Sequence, residues 1–165
     1  WGTVNEALLA NNDTFHFTNC SPQHARFNQN DETWQGIENY LLNQAQEDRK
    51  RLSIFTGPVL TEEDPLYRGV RLPMWFWKIA LYVKADDMLS VSAYLLDQKE
   101  LIEGLERFDP DTFQVTVEEL SQRTGLDFSP LVGSQVDLGD GGTGLERTDT
   151  GMLRRRLAKV SQIAI

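Results

Sequence analysis

Between Asn19 and Glu38 the sequence gathers Asn19, Gln23, Asn28, Gln29 and Asn30, followed by Asp31, Glu32 and Glu38. Carboxamide and carboxylate oxygens are hard donors, and at a loop-to-helix junction they form a ligand set of the kind Mg2+ accepts. The same residue types are most often turn and helix-cap residues. Residue type alone leaves both readings open. Two histidines lie close by. His16 falls on the polar face of the alternating segment Thr14 to Thr18 and reads as a surface or edge-strand residue, while His24 follows the turn at Ser21-Pro22.

The elements that would position these groups can be read from periodicity. Val4, Ala7 and Leu8 share one face of a short helix over Val4 to Asn11, and the alternation from Thr14 to Thr18 predicts a half-buried strand. Trp34, Ile37, Leu41 and Leu42 set the buried stripe of a helix over Thr33 to Arg51. Thr33 is its expected N-cap. Lys50 and Arg51 are placed where the helix dipole favours cations. Glu38 stands next to Ile37 at the border of that stripe, facing the carboxamide-rich loop. Leu52 to Thr56 predicts a strand ended by Gly57-Pro58, and Thr61 to Tyr67 an exposed acidic turn. Met74 to Val83, apolar almost throughout, predicts a strand covered on both faces. Ser90 to Leu96 pairs with it through a turn at Ala85-Asp86-Asp87. Asp97 to Leu105 reads as a short polar helix, Phe113 to Val117 as a strand, and Glu118 to Arg123 as a helix stopped at Gly125. Strands with helices beside them, without regular β-α-β alternation, make the expected class α+β.

Four ordered blocks carry a family resemblance. Phe15 to Gln23 with Phe27-Asn28-Gln29 and Trp34-Gln35-Gly36-Ile37-Glu38 comes first, then Ser53 to Pro58, ending in Thr-Gly-Pro. Pro73 to Tyr82 follows, with an aromatic before lysine at Trp77-Lys78, and Phe113 to Phe128 comes last. Together they resemble the DNA/RNA non-specific endonucleases, the ββα-metal nucleases that include endonuclease G-like enzymes. The resemblance covers residues 1–130. It implies a mostly antiparallel sheet with flanking helices, and a Mg2+-dependent hydrolysis of phosphodiester bonds in DNA and RNA. It implies Asn28 as the catalytic residue that ligates a single Mg2+, with Mn2+ able to substitute. It implies Glu38 as the catalytic partner holding the ion's waters from outside, and Asn19 as organiser of the loop.

The sequence also departs from that family. The Asp-Arg-Gly-His motif, whose histidine is the family's general base, occurs nowhere in these 165 residues. Trp1-Gly2 resembles the segment that follows the motif, so the chain reads as the C-terminal portion of such a nuclease, incomplete at its N-terminus. Glu38 follows Asn28 by ten residues, a longer step than the family's, with the extra residues near Asn30 to Thr33. The family's phosphate-contacting arginine would fall at Leu42. On that reading the chain by itself is inactive or weak. The alternative is a non-catalytic remnant, or one half of a split protein, that binds a partner. A metal-binding fold of other function comes third.

Composition bounds these readings. The length suffices for one domain with a sizeable core. A net charge of -9 runs against the basic footprint of a nucleic-acid binder, although a bound divalent ion supplies positive charge locally. No apolar run is long enough for a membrane span, so no membrane partner is expected. The single Cys20 excludes an internal disulfide. Localisation and oligomeric state are left open. Residues 131–165 read as a flexible Gly/Asp-rich linker and a weak basic helix from Met152 to Ala164. Gly139 to Gly144 fits G-x-G-x-x-G, but it lacks the helix and the distant acid of a dinucleotide site. Arg154, Arg155 and Arg156 could touch phosphate or lie in a solvated tail.

Overall fold

The apolar run after Pro73 is continuous because both of its faces are covered. The computed structural model describes residues 3–14, 16, 20–28, 34–47, 51–84, 86–102, 111–138, 144–159 and 162–163. In chain order these form α1 (Val4–Asp13), α2 (Ala25–Asn28), α3 (Trp34–Glu47), β1 (Arg51–Val59), β2 (Leu66–Tyr67), β3 (Val70–Arg71), β4 (Trp75–Val83) and β5 (Leu89–Asp97). Then come α4 (Lys99–Ile102), β6 (Thr112–Val115), α5 (Val117–Thr124), a 3₁₀ turn at Ser129–Ser134, β7 (Leu145–Arg147) and β8 (Leu153–Arg156). Six strands form one sheet in the order β1-β4-β5-β6-β8-β7, every neighbouring pair antiparallel. The small β2-β3 hairpin stands apart. This is the expected α+β architecture, consistent with a ββα-metal nuclease-like fold.

Alternate residues of β4 feed two cores. Phe76, Ala80 and Tyr82 pack with Tyr94 and Leu96 of β5 against Phe27, Ile37 and Leu41. Trp77 and Ile79 pack on the opposite side with Val91, Phe113, Val117 and Leu120. Burying each such side chain contributes on the order of 1.5–3 kcal/mol, which is why β4 is apolar throughout but for Lys78. On α3, Ile37 and Leu41 are fully buried, whereas Leu42 is 57% exposed. One residue further round the helix is about 100° of rotation, enough to carry it off the stripe. The described helix runs to Glu47, residues 48–50 with the expected Lys50 lie outside the described residues, and Arg51 opens β1 instead of closing the helix. The expected cap Thr33 lies outside the described residues.

β1 continues past Gly57-Pro58 to Val59. It pairs on one side with β4 and is an edge of the sheet among the described residues, where a proline can turn its missing N–H away from the partner strand. The Thr-Gly-Pro motif serves Trp77: Thr56 donates its hydroxyl to the Trp77 carbonyl at 2.9 Å, and the indole lies over Gly57. A Cβ at Gly57 would meet the indole Nε1 at 3.0 Å. The ring is held from elsewhere by Phe128, edge-on at 5.5 Å, so it cannot swing aside freely. Gly57→Val is therefore expected to destabilise the fold by about 1–3 kcal/mol through overpacking, measured by urea denaturation. A neutral result would mean the indole yields.

Several expectations are corrected by the sheet. The segment Thr61 to Tyr67 is not wholly exposed: Asp64 is buried, its carboxylate accepting from the backbone N–H of Thr61 and of Met74. α1 forms, held by a capping box between Thr3 and Glu6, but none of its residues is buried and Val4 is 85% exposed. Thr14 caps α1 and is not the start of a strand. Residues 15 and 17–18 of that expected strand lie outside the described residues. The expected basic helix over Met152 to Ala164 is absent. Leu153–Arg156 is instead β8, added to the edge of β6 and capped by β7. An unpaired sheet edge offers a full ladder of backbone hydrogen bonds, and a short arginine-rich helix has nothing comparable. The arginine stems also find partners. Arg154 lies 4.1 Å from the Phe113 ring centroid and pairs with Glu146, Arg155 donates to the Leu138 carbonyl, and Arg156 pairs with Asp111. Beyond β8, Leu157 and Ile163 join the core beneath α3. The expected linker falls largely on residues 139–143, outside the described set. Among the described residues no helix is long and apolar enough to cross a membrane.

Candidate active site

α2 and α3 lie over the same face of the sheet, and one aromatic contact fixes the first of them. Phe27 is fully buried and meets Phe76 of β4 with ring centroids 5.4 Å apart. Asn28, the next residue, ends that short helical turn beside α3. Its side chain lies outside the described residues, as does Asn19, so the expected approach of Asn28 to Glu38 rests on the backbone of α2 and α3 alone. Upstream, the chain from Pro22 to His24 is tied to the sheet by Gln98. The Gln98 side chain accepts from the His24 backbone N–H and donates to the Pro22 and Pro73 carbonyls. The side chain of His16 is mostly exposed, 3.4 Å from Asp13.

Glu38 sits in the second turn of α3 above the middle of β4. Its Oε1 accepts from Lys78 Nζ at 2.7 Å. The pair is asymmetric: the Lys78 side chain is 0% exposed, that of Glu38 41%. Lys78 stands on the α3 face of the sheet, opposite Thr56 on one side and Tyr94 on the other. Tyr94 and Tyr82, both fully buried, share that face. Burial in such surroundings holds the Lys78 ammonium below its ordinary 10.5, while the hydrogen bond and the charge of Glu38 pull the other way. Burial also pushes the Tyr82 and Tyr94 phenols above the ordinary tyrosine value.

The consequence for Glu38 is geometric. One carboxylate oxygen is held from below by a cation that cannot leave the core. The other has no hydrogen-bond partner among the described residues and can face water. Among the described residues no three His, Cys, Asp or Glu side chains gather into a metal cage. A divalent ion at this place would rest on few protein oxygens and much water, a coordination that suits Mg2+. Of the residues that would hold such an ion, the Glu38 carboxylate is described and the Asn28 side chain is not.

The sequence pointed to Glu38 through its place beside the apolar stripe, but not to its partner. The available signal was a lone lysine interrupting the apolar run of β4. Gln98 gave no signal at all.

With this geometry in place, the comparison with known families is decisive: residues 3–135 match the DNA/RNA non-specific endonucleases. The chain belongs to the DNA/RNA non-specific endonuclease family. It is 36% identical over 139 residues to the uncharacterized protein y4fB of Sinorhizobium fredii (strain NBRC 101917 / NGR234), which covers 78% of this chain. The chain spans 21% of that relative's length. Within the endonuclease match lie α1 through the 3₁₀ turn, including Asn28, Glu38 and Lys78. β7 and β8 lie beyond it, yet they complete the same sheet.

Proposed function

We propose that these residues carry the ion-holding part of a Mg2+-dependent, sugar-non-specific endonuclease that hydrolyses phosphodiester bonds of DNA and RNA. The observation that carries the reading is the Lys78–Glu38 pair at 2.7 Å. It fixes a half-exposed carboxylate over the central strand, on the face that Phe27 of α2 also packs against. The Asn28 carboxamide oxygen would hold the ion, with Mn2+ able to replace Mg2+. Glu38 would accept hydrogen bonds from the surrounding water and so keep that shell in one orientation. The ion, when bound, neutralises charge that builds on the phosphate and the leaving oxygen. Lys78 holds the Glu38 carboxylate in place without reaching the phosphate itself.

The reaction also needs a base, and the sequence contains no Asp-Arg-Gly-His to supply one. Loss of a general base costs on the order of 10²- to 10⁴-fold, so these 165 residues alone should nick DNA only at a trace rate. A second reading, a partner-binding remnant without catalysis, is favoured by the net charge of -9. Supercoiled-plasmid nicking with Mg2+, with EDTA as the blank, separates the two. The nuclease reading expects a peptide carrying the Asp-Arg-Gly-His strand to raise EDTA-sensitive nicking well above trace. No gain with a folded chain favours the remnant. Full activity without the peptide would mean that the base lies within this chain, at His16 or His24.

A further inference from the structure

We propose that Gln98 is a positioning residue, which sets the frame of the turn carrying Asn28 from the far end of β5. Its importance to catalysis rests on the reading of Asn28 given above, but the positioning itself does not. Gln98 is 1% exposed and immediately follows β5. Its side chain makes three hydrogen bonds: Oε1 accepts from His24 N at 3.0 Å, and Nε2 donates to Pro73 O at 2.6 Å and to Pro22 O at 3.3 Å. Its own backbone N–H donates to Met74 O at 2.9 Å. The side chain therefore joins two stretches far apart in sequence, the loop ahead of α2 and the lead into β4.

The connection continues to the candidate ligand. His24 O accepts from Phe27 N at 3.0 Å, Phe27 is locked against Phe76, and Asn28 follows directly. Phe27 fixes how deep α2 sits, and Gln98 fixes where the chain enters it. Two anchors hold a short turn in place where one would leave it free to pivot. The residue type is specific. A carboxamide offers an acceptor and two donors in one plane. Glutamate would set a carboxylate against two carbonyls, and an aliphatic side chain would leave a buried N–H and two carbonyls without partners. Both carbonyls belong to prolines, which have no N–H of their own to offer in a backbone ladder.

The test is amide hydrogen exchange by NMR on the whole chain, comparing wild type with Gln98→Met, which keeps the volume and removes the bonds. Exchange at His24, Phe27 and Asn28 is expected to rise together by about tenfold or more, while core amides of β4 and β5 stay within about twofold. A role confined to filling the core would move the sheet amides as much as the turn. Unchanged exchange at Phe27 and Asn28 overturns the proposal. Should Gln98→Met fail to fold, wild-type exchange decides. The Gln98 side-chain amide protons must be protected and open with the His24 N–H, and exchange at the rate of an exposed carboxamide overturns the proposal. Mn2+ binding to wild type and Asn28→Ala, followed by EPR, separates the metal reading. Loosened amides in Gln98→Met with Mn2+ binding that ignores Asn28 would leave Gln98 as the positioning residue and sink Asn28 as ligand.

Discussion

Asn28→Ala is expected to remove the Mg2+-dependent nicking that a supplied base restores, by on the order of 10²-fold or more, while the chain stays folded. A site that relies on one carboxamide has no second protein ligand to take over, and Mg2+ binds weakly where water alone surrounds it. Asn28 closes a four-residue turn whose anchor is Phe27, so truncating its side chain leaves that anchor untouched. Asn28→Asp keeps an oxygen donor at the same place and should retain part of the rate. Glu38→Ala should lose less, about 10- to 100-fold, because Glu38 acts through water and not on the ion directly. The measurement is the EDTA-sensitive nicking rate with the base supplied at saturation. Full activity in Asn28→Ala would remove Asn28 from the site and leave the family membership standing.

Glu38→Ala is also expected to lower stability by about 3 kcal/mol, more than Lys78→Met, although Glu38 is the more exposed partner. Taking one member from a buried ion pair costs about 3–5 kcal/mol when the charge left behind cannot reach water. Lys78 is the member that cannot, being 0% exposed in the middle of β4. Glu38, left alone by Lys78→Met, can turn its carboxylate to solvent, and methionine fills the space at little cost. The lower end of the range applies because the pair already borders water.

A pH dependence follows from the depressed Lys78 ammonium. The unfolded chain binds that proton more tightly than the fold does. Stability is therefore reduced below the folded-state pKa and recovers as pH rises from there toward 10.5. Removing Glu38 removes what opposes the depression, so recovery in Glu38→Ala begins at lower pH. The gap between the urea midpoints of wild type and Glu38→Ala should narrow from about pH 7 to about pH 10. Tyr82 and Tyr94 act in the opposite sense above that range, since their raised values favour the fold only while they remain protonated. They do so in both proteins. A gap independent of pH, or a Lys78→Met cost equal to that of Glu38→Ala, would mean that the other surroundings of Lys78 compensate its charge once Glu38 is gone.

The sequence by itself determined the elements whose signals are local. The β4-β5 hairpin was legible because nine consecutive residues of β4 are almost all apolar, and only two-sided burial makes use of such a run. α5 was legible from its stop, Gly125, which takes a left-handed φ of 71° and accepts no substitute without strain. The carboxamide loop and Glu38 were marked by residue type and by position beside an apolar stripe. The tertiary structure alone decided the rest. Lys78 meets Glu38 across 40 residues and Gln98 meets His24 across 74, and neither meeting leaves a period in the sequence. By sequence β8 reads as a helix, because three arginines in a row carry no strand pattern of their own. The free edge of β6 supplied the backbone partners, and Phe113, Glu146 and Asp111 took up the arginine side chains. Periodicity reports which face of an element is apolar. It cannot report which distant polar group will be buried against that face, because that depends on the desolvation and pairing that exist only once the sheet has closed.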